Sequence, residues 1–301
     1  MDRRRRAALW LCLGAAMSSG CGGGSGGEVE QTSSTASGNL SRIGPPMPEI
    51  VDETGVPVTS TARSIAFTNV NLVSMRDETI VPAQAVLIED GVIKAIGASG
   101  SIAIPAGTDV IDGSNRYLLP GLTDMHVHPV VGSDGESDLL VQLAAGVTSI
   151  RIMWGGRGHL SWRAQIQAGE LTGPRLYIAS PGLEGDPPYW PNSVVGTTES
   201  EARNAVRDQV AAGYDFIKVY NQLQLPLYDV IINEARLLDI PVIGHVPRSL
   251  SADYAIAAGQ ETIEHFSGFA PHATTTGNWS GEIDASKLAG LIEHIRLKGT
   301  W

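Results

Sequence analysis

Leu119-Pro120-Gly121-Leu122-Thr123-Asp124-Met125-His126-Val127-His128-Pro129 is an apolar run that ends in two histidines one residue apart and is stopped by a proline. Side chains alternate between the faces of a strand, so His126 and His128 are expected to point one way and Met125 and Val127 the other. Two imidazoles aimed at one spot, followed by a residue that ends strand pairing, form half of a metal site at the mouth of a barrel. Taken alone, the same stretch also reads as a strand with two polar residues near its end.

The sequence on either side decides between these readings. After Gly121 it alternates strand with helix. The strand candidates are Leu122–His128, Val147–Met153, Arg175–Ser180, Phe216–Tyr220, Pro241–His245 and Thr262–Phe266. Helical stretches run from Thr198 to Ala212, opened by the capping box Thr198-Glu199-Ser200-Glu201 and closed by Gly213, and again over 225–238 and 284–297. Strands alternating with helices imply parallel pairing through crossover helices. The expected architecture is an α/β (β/α)8 TIM-type barrel, in which functional residues gather at the C-terminal ends of the strands. About six of its βα units are present.

Polar residues at those strand ends form a short set: His126 and His128, Lys218, His245 and His265. Lys218 is the informative member. An unpaired ammonium inside the apolar strand Asp215-Phe216-Ile217-Lys218-Val219-Tyr220 is costly to bury, and needs a partner or a shifted pKa. A snorkelling head or an ion pair with Glu264 would satisfy it. With four histidines on neighbouring strand ends, the better reading is a neutral amine that has reacted with carbon dioxide, giving a two-oxygen carbamate able to bridge metals. Tyr220 shares a face with Lys218 and could hydrogen-bond a substrate carbonyl, or be a packed aromatic. Arg151 could meet a substrate carboxylate or pair with an acid. His159, His272 and His294 have no partners at ligand spacing and read as surface residues.

Between Ser64 and Tyr117, short apolar runs separated by turn residues, with a hairpin signal at Glu89-Asp90-Gly91, read as a small antiparallel sheet of structural character. Residues 22–61 have a Gly, Ser, Thr, Glu and Pro composition that cannot bury enough surface to order itself, and read as a tether. Ahead of it, Arg3 to Arg6 and the apolar run Ala7 to Met17, about eleven residues, are an export signal too short to span a bilayer. Small residues before Cys21 resemble a bacterial lipoprotein cleavage site, with Ser18 where an aliphatic residue is usual. The expected organisation is a signal over 1–21, a tether over 22–61, a small β-sandwich portion over 62–117 and the barrel over 118–301. The expected location is periplasmic or membrane-anchored in a bacterium, with a lipid on Cys21 as the possible anchor.

Composition agrees. The 301 residues are 43% hydrophobic, ample for a packed core, and a formal net charge of −11 offers no basic face for nucleic acid. Cys12 would leave with the signal, so the mature chain has no intramolecular disulfide.

Taken together, Leu118 to His128, Ala145-Gly146-Val147-Thr148-Ser149-Ile150-Arg151, Gly173-Pro174-Arg175, Gly213 to Lys218, Gly244-His245 and Ile263-Glu264-His265 resemble the amidohydrolase superfamily, in its imidazolonepropionase-like and prolidase-like branch. The resemblance implies two divalent metal ions. His126 and His128 would hold one, His245 and His265 the other, and N6-carboxylysine at Lys218 would bridge them. Imidazole ligands make Zn²⁺ the simplest choice. It further implies hydrolysis of an amide, peptide or cyclic-amide C–N bond in a small molecule or short peptide by metal-activated water. The sheet over 62–117 would be one part of a composite β-sandwich. The family also has a proton-shuttling aspartate at the end of strand eight, and no residue here matches it, so no catalytic residue is assigned and the chain reads as C-terminally truncated. The alternative function is a non-catalytic, metal-binding exported lipoprotein or inactive fragment.

Overall fold

The structure is a computed structural model that describes residues 64–278 and 280–301. The expected signal segment, the tether and Cys21 lie outside the described residues. Two compact units divide after Pro120.

The first unit is a five-stranded sheet. Strands β1 (Ile65–Val73), β2 (Ile80–Glu89) and β3 (Val92–Ala98) form an antiparallel meander. The β2–β3 hairpin turns through Asp90 and Gly91, both at positive φ, as its sequence led us to expect. The sheet is mixed rather than antiparallel throughout. Strands β4 (Asp109–Asp112) and β5 (Tyr117–Leu118) both pair in parallel with β1. Local turn signals show where strands begin and end, whereas the direction of pairing with a distant strand is a non-local property.

The second unit is a partial (β/α) barrel. Its strands are β6 (Leu122–Val127), β7 (Val147–Ile152), β8 (Arg175–Ile178), β11 (Ile217–Val219), β12 (Val242–Gly244) and β13 (Thr262–Ile263). All pair in parallel with their neighbours: β6-β7-β8 is one ladder and β11-β12-β13 another. A single parallel bridge, Ala179 to Phe216, joins the two ladders. Asp215 reinforces that seam by accepting the Ile178 N–H at 2.7 Å and pairing with Arg163 at 2.7 Å. Between β8 and β11 the chain makes an excursion containing β9 (Leu183–Glu184) and β10 (Val194–Val195), and β9 pairs with β11. Beyond β13, Ile263 donates its N–H to the Trp301 carbonyl at 2.7 Å, and Trp301 donates to Glu261 at 2.9 Å.

Helices α1 (Ser133–Ala144), α2 (Arg157–Ala168), α3 (Glu199–Ala212), α4 (Leu225–Leu237), α5 (Ala252–Ala258) and α7 (Ala285–Lys298) return the chain between strands; a short α6 (Ala270–Ala273) precedes α7. Thr198 caps α3 through a complete capping box with Glu201, and Gly213 closes the helix in the left-handed conformation, as the sequence indicates. The main core lies between the strands and these helices, where Val206, Ile217, Val219, Ile231 and Ile256 are almost wholly buried. Met153, Ala179, Phe216 and Ile243 form a smaller buried cluster below the strand ends. That packing fixes the height at which the polar strand ends emerge.

Candidate metal centre

Strand β6 carries a bulge. Its register with β7 runs Asp124 to Ile150 and then Val127 to Ile152, so three steps on one strand match two on the other. The Asp124 carboxylate accepts the His126 N–H at 3.1 Å and stabilises the departure. Simple alternation therefore does not describe this strand, yet the two histidines still converge: His126 Nε2 and His128 Nε2 are 3.1 Å apart.

The other three members of the set meet the first two in a chain of contacts. The His126 and His265 rings lie 4.5 Å apart, His265 and His245 5.2 Å apart, and His245 and Tyr220 4.1 Å apart, centroid to centroid. Lys218, on β11, has only 1% of its surface exposed, and its Nζ lies 5.9 Å from the Tyr220 ring. Gly244 makes room for it, since a Cβ there would come within 2.9 Å of Lys218 Cδ. Among the described residues Lys218 makes no ion pair. Glu264, the acid whose charge acts on Lys218, is engaged elsewhere.

Glu264 accepts from His126 Nδ1 at 2.7 Å with one oxygen, and from Arg151 at 2.7 Å and Thr262 at 2.7 Å with the other. Burial alone would raise its carboxyl, but the His126 hydrogen bond and the Arg151 charge hold it down to about 2. Arg151 also donates to the Met125 carbonyl at 2.7 Å. Of the two roles open to Arg151 from sequence, the acid pairing is the one found, and it is not available to a substrate carboxylate.

These partners settle the tautomers. A carboxylate only accepts, so His126 Nδ1 carries the hydrogen, and in the neutral ring the lone pair is then on Nε2. His245 is set in the same way, through Nδ1 and Asn221 Oδ1 at 3.0 Å. Burial first, then the neighbouring Lys218 and histidine charges, lower His245 to about 3; partial desolvation and the same crowding lower His128 to about 4; His265 is lowered too, chiefly by desolvation. Neutral imidazole is the form that ligates a metal. Two nitrogens held ~2.1 Å from one zinc ion are roughly 3.0–3.4 Å apart between right-angled and tetrahedral geometry, and the His126–His128 separation fits. Among the described residues no three His, Cys, Asp or Glu side chains form a metal cluster by themselves. The four histidine rings form one row of contacts, His128 to His126 to His265 to His245, and the Lys218 charge bears on His128, His245 and His265.

Three features depart from the sequence reading. β13 is shorter than expected: His265 lies in a short 3₁₀ turn at Glu264–Phe266, with φ 58° and ψ 25°, and this left-handed residue turns its ring back towards His126. His159 is buried, not on the surface, at 8% exposure. His272 and His294 are not without partners, because both approach Asp253, at 2.8 and 3.1 Å.

Sequence reasoning also missed the wall beside Tyr220. Buried Glu184 accepts from the Tyr189 N–H at 2.6 Å and Ser193 Oγ at 2.9 Å, bracing the excursion after β8. From that loop Trp190 donates its indole N–H to the Tyr220 hydroxyl at 3.2 Å. An indole nitrogen can only donate, so the Tyr220 hydroxyl accepts there and keeps its own hydrogen for another partner. Only an acid inside an otherwise ordinary loop could have hinted at this.

An imidazolonepropionase from Solibacter usitatus is 37% identical over 110 residues, 35% of this chain and 26% of the relative. A dihydroorotase from Trichlorobacter lovleyi is 35% identical over 94 residues, 28% of this chain and 22% of the relative. Among solved structures, bottromycin amidohydrolase superposes with a TM-score of 0.60 at 25% identity, covering 77% of this chain and 49% of that one. In sequence and in fold the chain is similar to members of the amidohydrolase superfamily. The fold is also that of a Xaa-Pro dipeptidase structure with bound methionine, with a TM-score of 0.62 at 21% identity and coverage of 79% and 65%. No family profile matches the chain. The matched segments span about a quarter of the length of these curated relatives.

Proposed function

We propose that this chain provides the metal-binding body of a hydrolase acting on an amide, peptide or cyclic-amide C–N bond of a small molecule or short peptide. The observation that carries the reading is the 3.1 Å approach of His126 Nε2 to His128 Nε2 while Glu264 occupies the opposite nitrogen of His126. Carboxylate-backed histidine is the usual arrangement of a metal-ligating imidazole. His126 and His128 would hold one divalent ion, His245 and His265 a second, and Lys218, carboxylated, would join them. Such ions, most simply Zn²⁺, supply Lewis acidity towards the scissile carbonyl and lower the pKa of water.

The chain's own groups do the rest. Glu264 and Asn221 keep His126 and His245 in the ligating tautomer. Burial lowers Lys218 to about 8, offset in part by Glu264, which leaves a reactive share of free amine near neutral pH and supports carbamate formation. Tyr220 has a hydroxyl hydrogen left over from its contact with Trp190 and stands beside His245, where it can donate to a substrate carbonyl. No observation favours the non-catalytic binding module.

Export is part of the same proposal. Arg3 to Arg6, the apolar run that follows and Cys21 support a secreted, lipid-attached protein. Among the described residues, no helix is long and apolar enough to cross a membrane.

The test of the activity is hydrolysis of a panel of dipeptides and cyclic amides by the zinc-reconstituted full-length protein. Turnover that is abolished by chelation and by His245→Ala supports the reading, and turnover indifferent to both removes it.

A further inference from the structure

We propose that His159 is a positioning residue for the His126–His128 pair, holding the backbone just after His128 and thereby setting the affinity of that pair for zinc. The inference rests on the reading that the pair holds a metal ion. His159 lies in the first turn of α2, and its Nε2 is 2.9 Å from the Pro129 carbonyl. A carbonyl only accepts, so Nε2 donates the hydrogen and Nδ1 is a lone pair. That Nδ1 is buried without a hydrogen-bond partner. The ring meets Trp162 edge-on at 5.5 Å, in surroundings where a phenylalanine would pack with no polar atom left over. What histidine adds over phenylalanine is the one hydrogen bond to Pro129.

The position of that bond gives it leverage. The last backbone hydrogen bond joining β6 to β7 runs from Met153 N–H to the Val127 carbonyl, at 3.0 Å. Pro129 has no N–H of its own to continue the ladder. His128 is therefore bracketed, with Met153 holding the carbonyl before it and His159 the carbonyl after it. The loop that follows is tightly seated as well: a Cβ at Gly135 would fall 1.8 Å from the Val130 carbonyl oxygen. If the Pro129 carbonyl were released, the His128 peptide could rotate, and the second imidazole would leave the 3.1 Å approach that suits one ion. His159 touches neither the ion nor a substrate in this account; it acts through the backbone.

The experiment measures zinc affinity of the full-length chain by competition with a chromophoric chelator, together with the melting temperature of the metal-free protein. The variants are His159→Phe, which keeps the ring but has no donor, and His159→Gln, whose amide nitrogen takes the place of Nε2. The expected result is a loss of about tenfold in affinity for His159→Phe, and affinity within about threefold of the wild type for His159→Gln, with the two metal-free melting temperatures alike. Should His159→Phe fail to fold, His159→Asn, whose amide sits where Nδ1 does and cannot reach Pro129, is expected to show the same loss. Equal zinc affinity in the wild type and the donorless variant overturns the proposal, as does a loss in His159→Gln as large as in His159→Phe. A wild type that binds no zinc removes the metal-site reading itself, and the proposal with it.

Discussion

His126 and Glu264 are 138 residues apart in sequence and meet through a 2.7 Å hydrogen bond that joins the first strand of the partial barrel to the turn after the sixth. The same carboxylate pairs with Arg151 from the second strand, so one acid ties three strand ends together and puts the hydrogen of His126 on Nδ1. Replacing Glu264 with Gln leaves a buried guanidinium without its counter-charge. The expected cost is about 3 kcal/mol in urea denaturation, with zinc affinity reduced by about tenfold. Adding Arg151→Met to the Gln variant is expected to recover stability but not zinc affinity. If stability and affinity moved together in the double variant, the orienting role of Glu264 would be wrong.

Gln260 is the polar pin behind the second histidine pair. Fully buried, it donates to the Gly244 carbonyl at 3.0 Å and the Thr262 carbonyl at 2.9 Å, and accepts from the Tyr228 hydroxyl at 2.9 Å. Gly244 and Thr262 precede His245 and His265 by one and three residues. Gln260→Leu strands three polar groups in the core and is expected to cost about 3 kcal/mol or more, with Tyr228→Phe costing about 1 kcal/mol. Chemical denaturation of the two variants checks the order.

Trp190 is expected to matter through its N–H rather than its bulk. On any substrate that the protein turns over, Trp190→Phe should lower kcat/KM by about tenfold, and Tyr220→Phe by at least as much. The double variant should be no worse than Tyr220→Phe alone. Independent, multiplying losses would show that Trp190 does not act through Tyr220.

Thr198 offers a check on the scaffold alone. It accepts from the Glu201 N–H at 3.2 Å, while Glu201 reaches back to the Thr198 N–H at 3.1 Å. Thr198→Ala is expected to cost about 1 kcal/mol, seen as a lower urea midpoint with unchanged slope, and to leave zinc affinity as it was.

What could be read from the sequence was whatever is encoded locally. Six strand positions, the α3 capping box and the Asp90-Gly91 turn follow from periodicity and from residues whose backbone preferences are strong. The five strand-end groups stand out in the sequence because a lysine inside an apolar strand is costly to bury without a partner, and four histidines fall at the ends of neighbouring strands. The groups that tune them were not legible. Glu264 with His126, Asn221 with His245, Trp190 with Tyr220 and His159 with Pro129 are joined only by the closing of the fold, and nothing in the neighbouring residues marks them. The β6 bulge escaped for a similar reason: Asp124 bends the strand by accepting a single backbone hydrogen, which leaves hydrophobic alternation almost undisturbed.

The claim on which the rest depends is that His126, His128, Lys218, His245 and His265 together hold two divalent ions through a carboxylated lysine. Metal content after gel filtration tests it most directly, for full-length protein loaded with zinc in bicarbonate buffer and for Lys218→Met treated alike. Close to two zinc ions per wild-type chain, and one or fewer in the variant, are expected. Equal zinc content in the two proteins, or a wild type that retains none, would contradict it.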